Sequence, residues 1–145
     1  MVQDECVRLA YEAGVLRVVG YLYDTDAPKQ IAGIRLIFDR GDWVVTVNED
    51  DDTVDLMETT DKILESWRIA DASSFFPWAA AVGKTVRWAW TLENQQGYLD
   101  ALQLELADTK RGGFVGIQLV AMASHLVVHS VLPVETPYLA PPTAD

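Results

Sequence analysis

Leu16-Arg17-Val18-Val19-Gly20-Tyr21-Leu22-Tyr23 decides the fold class. Leu16, Val18 and Leu22 fall on one side of a period-two ladder, and Val19, Tyr21 and Tyr23 on the other. A period of two is the signature of a strand. Apolar residues on both sides mean a strand covered on both faces. Outward from this stretch the rhythm persists. Asp24-Thr25-Asp26-Ala27-Pro28 reads as a turn, Ile34, Leu36 and Phe38 as a second strand, and Arg40-Gly41-Asp42 as a tight connection. Trp43, Val45 and Val47 share one face of a third strand. Asn48 to Asp52 is an acidic turn, and Thr53 to Met57 forms a short fourth strand.

The same order returns further along. Val86, Trp88, Trp90 and Leu92 alternate with Arg87, Ala89 and Thr91, and Leu102, Leu104 and Leu106 alternate with Gln103 and Glu105. Ile117, Leu119, Ala121 and Ala123 follow, then a last strand from Leu126 to Leu132. Arg17-Val18-Val19 aligns with Arg87-Trp88-Ala89, so residues 15–58 and 85–132 read as a pseudo-repeat. Between them the β rhythm breaks. Asp61 to Arg68 predicts a helical turn burying Ile63, Leu64 and Trp67, and Ser73 to Gly83 a second short helix. Residues 5–13 predict an N-terminal helix stopped at Gly14. The expected fold is therefore mostly β (α+β): two antiparallel β meanders forming a sandwich or barrel, with short helices at the N-terminus and in the middle linker. Residues 1–132 make one domain in this reading, and 133–145 a tail holding four of the six prolines.

Composition narrows the function classes. The chain has 145 residues, half of them hydrophobic, and a formal net charge of −11 from 22 acids against 11 bases. Nucleic acid and anionic membrane surfaces call for a basic face, so neither is an expected partner. A basic protein is. One cysteine, Cys6, excludes an internal disulfide and suits a reducing compartment. Its acidic neighbours, Asp4 and Glu5, should raise its pKa rather than activate it. The first residues carry acids where a signal peptide carries bases, and no apolar run is long enough to span a membrane. The expected setting is cytoplasmic.

No metal, phosphate or nucleophile signature is present, so no cofactor, metal ligand or catalytic residue is assigned. His125 and His129 on a strand would lie roughly 13 Å apart, too far to grip one ion. The densest feature is acidic: residues 39–65 hold ten acids and two bases, centred on Glu49, Asp50, Asp51, Asp52 and Asp55. It reads as a solvated turn, a docking face for a basic partner, or a calcium site, although the spacing departs from an EF-hand. The second feature is aromatic. Trp88 and Trp90 share a strand face with Val86 and Leu92, which predicts core packing. The competing reading is an interface, where Trp, Tyr and Arg serve as anchors, or a tryptophan-lined small-molecule pocket. Together the candidate binding residues are Glu49, Asp50, Asp51, Asp52, Asp55, Trp78, Trp88, Trp90, Gln95 and Tyr98.

Pro77-Trp78, Gly83-Lys84, Arg87-Trp88-Ala89-Trp90, Asn94-Gln95-Gln96-Gly97-Tyr98-Leu99-Asp100 and Gln103 resemble a family of small acidic bacterial proteins of unknown function. The resemblance implies a bacterial, cytoplasmic setting and brings no activity with it. Size, charge and the lack of a catalytic constellation point to a binding module, of the kind used as immunity proteins, inhibitors or adaptors. Two alternatives stand: a self-associating structural protein, as a homodimer held by aromatic strand faces, and an enzyme drawing on scattered groups such as Asp100, Glu105 and His129.

Overall fold

A computed structural model describes residues 1–108, 110 and 113–131. The expected tail from Pro133, the end of the last strand at Leu132, and Arg111-Gly112 of the preceding loop lie outside the described residues. The fold is mostly β, as the periodicity predicts. The first meander is β1 (Leu16–Asp24), β2 (Ala27–Phe38), β3 (Gly41–Asn48) and β4 (Thr53–Glu58). The second is β6 (Thr85–Glu93), β7 (Leu99–Ala107), β8 (Phe114–Met122) and β9 (His125–Val131). Every strand pairing is antiparallel, and the sheet runs β4-β3-β2-β9-β8-β7-β6. Along its whole length one edge of β2 takes β1. The other edge takes β3 from Gly33 to Phe38 and meets β9 at Ile31, so β2 is where the two meanders join. The starts of β1 and β6 also touch: Val15 bridges Thr85, and Leu16 and Gly83 exchange backbone hydrogen bonds with the opposing segment. The sheet thus curls into a half-barrel. One buried cluster fills it, with Leu36 and Val45 from the first meander and Leu104, Ile117 and Leu119 from the second.

The linker departs from expectation in two places. Helix is confined to α2 (Asp61–Leu64), capped by the Thr60 hydroxyl, and α3 (Trp78–Ala81); the predicted helix over 73–83 is mostly turn. Ile63, Leu64 and Trp67 are only half-buried. Between the helices lies a strand with no sequence signal of its own, β5 (Arg68–Asp71), which pairs with β1. The Ser73 hydroxyl then accepts from the Val19 amide at 2.9 Å, and Ala72 N–H donates to the Val19 carbonyl. These bonds position Trp78, which is 0% exposed in the core. Its indole N–H donates to the Tyr21 hydroxyl at 2.7 Å, which satisfies the one polar atom the ring carries inside.

Helix α1 (Val2–Tyr11) lies along the side where the sheet fails to close, against both β6 and β4. Cys6, Leu9 and Ala13, spaced three and four apart, point inward and are buried. Gly14, at φ +83°, turns the chain out of the helix toward β1. The hold on the first meander is polar. Trp43 is 1% exposed, stacks edge-on against Phe38 at 5.9 Å, and donates its indole N–H to Glu5 at 2.8 Å. Arg8 lies over the Trp43 ring and bonds Glu5, Glu12 and Glu58, the last being Trp43's partner across the β3–β4 ladder. Gly41 leaves room for this ring: a Cβ there would sit 2.1 Å from a Trp43 ring carbon.

Gly41→Ala should therefore cost roughly 1–3 kcal/mol in denaturant melts, the usual cost of overpacking a filled site. The Trp43 hydrogen bond, and after it Arg8, hold the Glu5 carboxyl below its ordinary value of 4.5 against the opposing effect of burial. A depressed carboxyl adds stability that is present above the unfolded value and lost as pH falls through the folded one. Glu5→Gln should thus lower the melting temperature at pH 7, and the gap to the parent should close below about pH 4. Thermal melts across that range check it.

Candidate functional site

Which way Trp88 and Trp90 face is settled by one residue. Val86 points into the core. The β6–β7 register then shifts between Val86 and Trp88, a bulge at Arg87. A one-residue slip moves every following side chain to the other face. Trp88 and Trp90 consequently lie outside, 51% and 43% exposed, while Ala89 packs inward. The expected burial of both tryptophans is thus overturned, and the shared face with Val86 does not exist. Trp78, a candidate binding residue in the sequence, is wholly inside. That leaves it no surface to offer a partner.

Two cross-strand rows run over the outer face of the second meander. Trp88 opposes Glu105, then Gly116 and Val131; Trp90 opposes Gln103, then Gln118 and His129. The Gln118 side-chain amide donates to Gln103 at 3.1 Å. Phe114 and Met122, both on β8, are also exposed. Beside β6 the face continues into a groove of about 410 Å³ against α1, lined by Cys6, Val7, Ala10 and Tyr11 opposite Trp88 and Trp90. Val7 and Tyr11 are exposed at helical spacing, the outward counterpart of Cys6 and Leu9. The apolar spacing of Val7, Leu9, Ala10 and Ala13 marks the helix, but Val7 falls on its outward side with Tyr11. Burial, and after it the Glu5 charge, push the Cys6 thiol up to about 11, so it serves the groove as an apolar floor and not as a nucleophile.

The acidic candidates form a separate place. Glu49, Asp50 and Asp51 stand exposed in the β3–β4 turn, Asp52 is half-buried, and Asp55 is exposed on β4. Two of them hold structure. Asp51 accepts from the Thr53 amide and hydroxyl at 3.1 and 2.6 Å. Asp52 accepts from Ser124 N–H at 2.7 Å, tying this turn to the β8–β9 turn of the other meander. At the same end of the sheet is the β6–β7 turn, carrying Gln95 and Tyr98, both exposed. Asn94 organises it by accepting from the Gln96 and Tyr98 amides and reaching Asp100 at 3.4 Å. Asp100, at the start of β7, thereby braces the turn, and among the described residues it forms no hydrogen bond with Glu105 or His129. Among the described residues no group of three or more His, Cys, Asp or Glu side chains could hold a metal.

Charge pairing separates the two places. Arg8 is matched to Glu5, Glu12 and Glu58, Arg17 to Asp39 at 2.6 Å, and Arg35 to Asp42 at 2.6 Å. None of Glu49, Asp50, Asp51, Asp52 or Asp55 has a cationic partner among the described residues.

What the geometry defines is a curled-sheet protein with an exposed aromatic face and an uncompensated acidic hairpin. The chain belongs to a family of unknown function, DUF6334, whose profile matches residues 2–135. No curated protein and no solved structure matches it.

The two tryptophan environments predict opposite outcomes. Trp78→Ala should cost about 3–5 kcal/mol, because it opens a cavity and strands the Tyr21 hydroxyl. Trp88→Ala should cost less than about 1 kcal/mol, as surface changes do. Paired chemical melts of the two variants measure the contrast.

Proposed function

We propose that this chain is a non-catalytic binding module that docks on a basic protein inside a bacterial cell, as immunity proteins, inhibitors and adaptors do. One observation carries the reading: Glu49, Asp50, Asp51, Asp52 and Asp55 are left without cations, although arginines elsewhere in the chain are engaged by carboxylates. Like charges crowded in one turn repel. Asp51 and Asp52 have structural bonds to account for their presence, whereas Glu49 and Asp55 have no such account beyond a local contact of Asp55 with the Leu56 amide. An acidic rim of this kind acts mainly on the rate of association, by steering a basic partner over the Debye length of roughly 8 Å at physiological salt. Gln95 and Tyr98 lie at the same end and widen the contact.

The test is made on binding. The tagged chain is used as bait in lysate of its native cell at low salt, and captured proteins are identified by mass spectrometry. A basic protein should be retained, and released as salt is raised to about 0.5 M. Glu49→Gln with Asp50→Asn and Asp55→Asn, which spares the two structural aspartates, should slow its association several-fold without lowering the melting temperature. Retention that is indifferent to both the salt and the triple variant would refute the reading.

A further inference from the structure

We propose that the outer face of β6–β9 is the contact between two copies of this chain, related by a two-fold axis close to Trp88. The proposal goes beyond the docking of a basic protein, uses a different surface and stands without it. Trp88, Trp90 and Phe114 stand exposed on one face of the sheet, with Trp90 and Phe114 lining the same depression, and grouped aromatics of this kind mark contact sites more often than isolated surface apolar residues do. In the Trp90 row the polar groups are Gln103 and Gln118, bonded to each other, and His129. Aromatic enrichment with little charge is the composition of an interface core.

Charge identifies the occupant. The chain carries −11, yet among the described residues this face holds one carboxylate and one guanidinium beside its central tryptophan. Glu105, half-buried, faces Trp88 across the ladder, and Arg87 lies over the Trp88 ring at 6.0 Å. Neither forms an ion pair among the described residues. A basic partner would find a single acid here, opposed by Arg87. A second copy finds its own complement, because a two-fold contact sets Arg87 of each copy against Glu105 of the other. The acidic β3–β4 turn, held to Ser124 at the far end of β8, stays outside such a contact.

Sedimentation equilibrium of the purified chain tests this. The parent should dimerise, and tighter at about 0.5 M salt than at about 0.05 M, since salt screens the repulsion between two acidic copies. Binding of a basic protein responds to salt with the opposite sign, so the two readings fail separately. Trp90→Glu should weaken the dimer by about 30-fold or more, the loss expected of an aromatic anchor, while keeping the parent's melting temperature. Arg87→Glu and Glu105→Arg should each be monomeric alone and dimerise when mixed, because only the mixed pair restores both contacts. A chain that stays monomeric up to about 1 mM overturns the proposal. So does a dimer indifferent to Trp90→Glu, or a mixture of the two charge variants that stays monomeric where the parent does not.

Discussion

A branched sheet that curls without closing leaves edges at β4, β5 and β6, and the site answers to how two of them are sealed. Those two are β4 and β6, and α1 lies against both. On the β4 side the seal is specific: a buried indole, Trp43, reaches Glu5, and Arg8 ties Glu5 to Glu58. On the β6 side the packing is apolar, and beside it lies the groove lined by Tyr11, Trp88 and Trp90. An exposed strand edge is a template for unwanted pairing, so covering it with a helix also protects the monomer. The seal is thus asymmetric in kind, with hydrogen bonds and ion pairs at one edge and apolar packing beside a groove at the other.

Bulges explain why the two meanders match in sequence but not in surface. The register slips at Arg17 in β1 and at the aligned Arg87 in β6, and the residues two positions before them, Val15 and Thr85, bridge each other. Such correspondence is what duplication of one meander would produce. The consequences differ because the neighbours differ. In β1 the position aligned with Trp90 is Gly20, which is covered by Ile69 of β5. In β6 no strand covers it, and a tryptophan stands there.

Strand identity was legible because alternation is a local property: β7 and β8 follow their apolar periods closely, whereas in β1 the bulge at Arg17 takes Val18, exposed, off the expected shared face with Leu16. Facing was not legible in β6, because a bulge has no compositional mark and reverses the reading from Trp88 onward. Nor was β5, whose four residues, Arg68–Asp71, are mostly exposed and owe their strand geometry to pairing with β1. Trp78 was misassigned for a related reason. Its neighbours Phe75 and Phe76 are exposed while it is buried, an inversion set by the hydroxyl of Tyr21, far away in sequence. The acidic hairpin was legible as a turn, but the division of labour within it was not, since Asp52 acts on Ser124 of the other meander.

The account stands on α1 being an integral wall of the half-barrel rather than an appended helix. Hydrogen–deuterium exchange of the free chain, read by mass spectrometry, tests this most directly. The amides of α1 beyond its first turn should be protected alongside those of β3 and β7 and should open with them as one cooperative unit. Exchange of those amides at the rate of an unstructured peptide, while β3 and β7 remain protected, would contradict it.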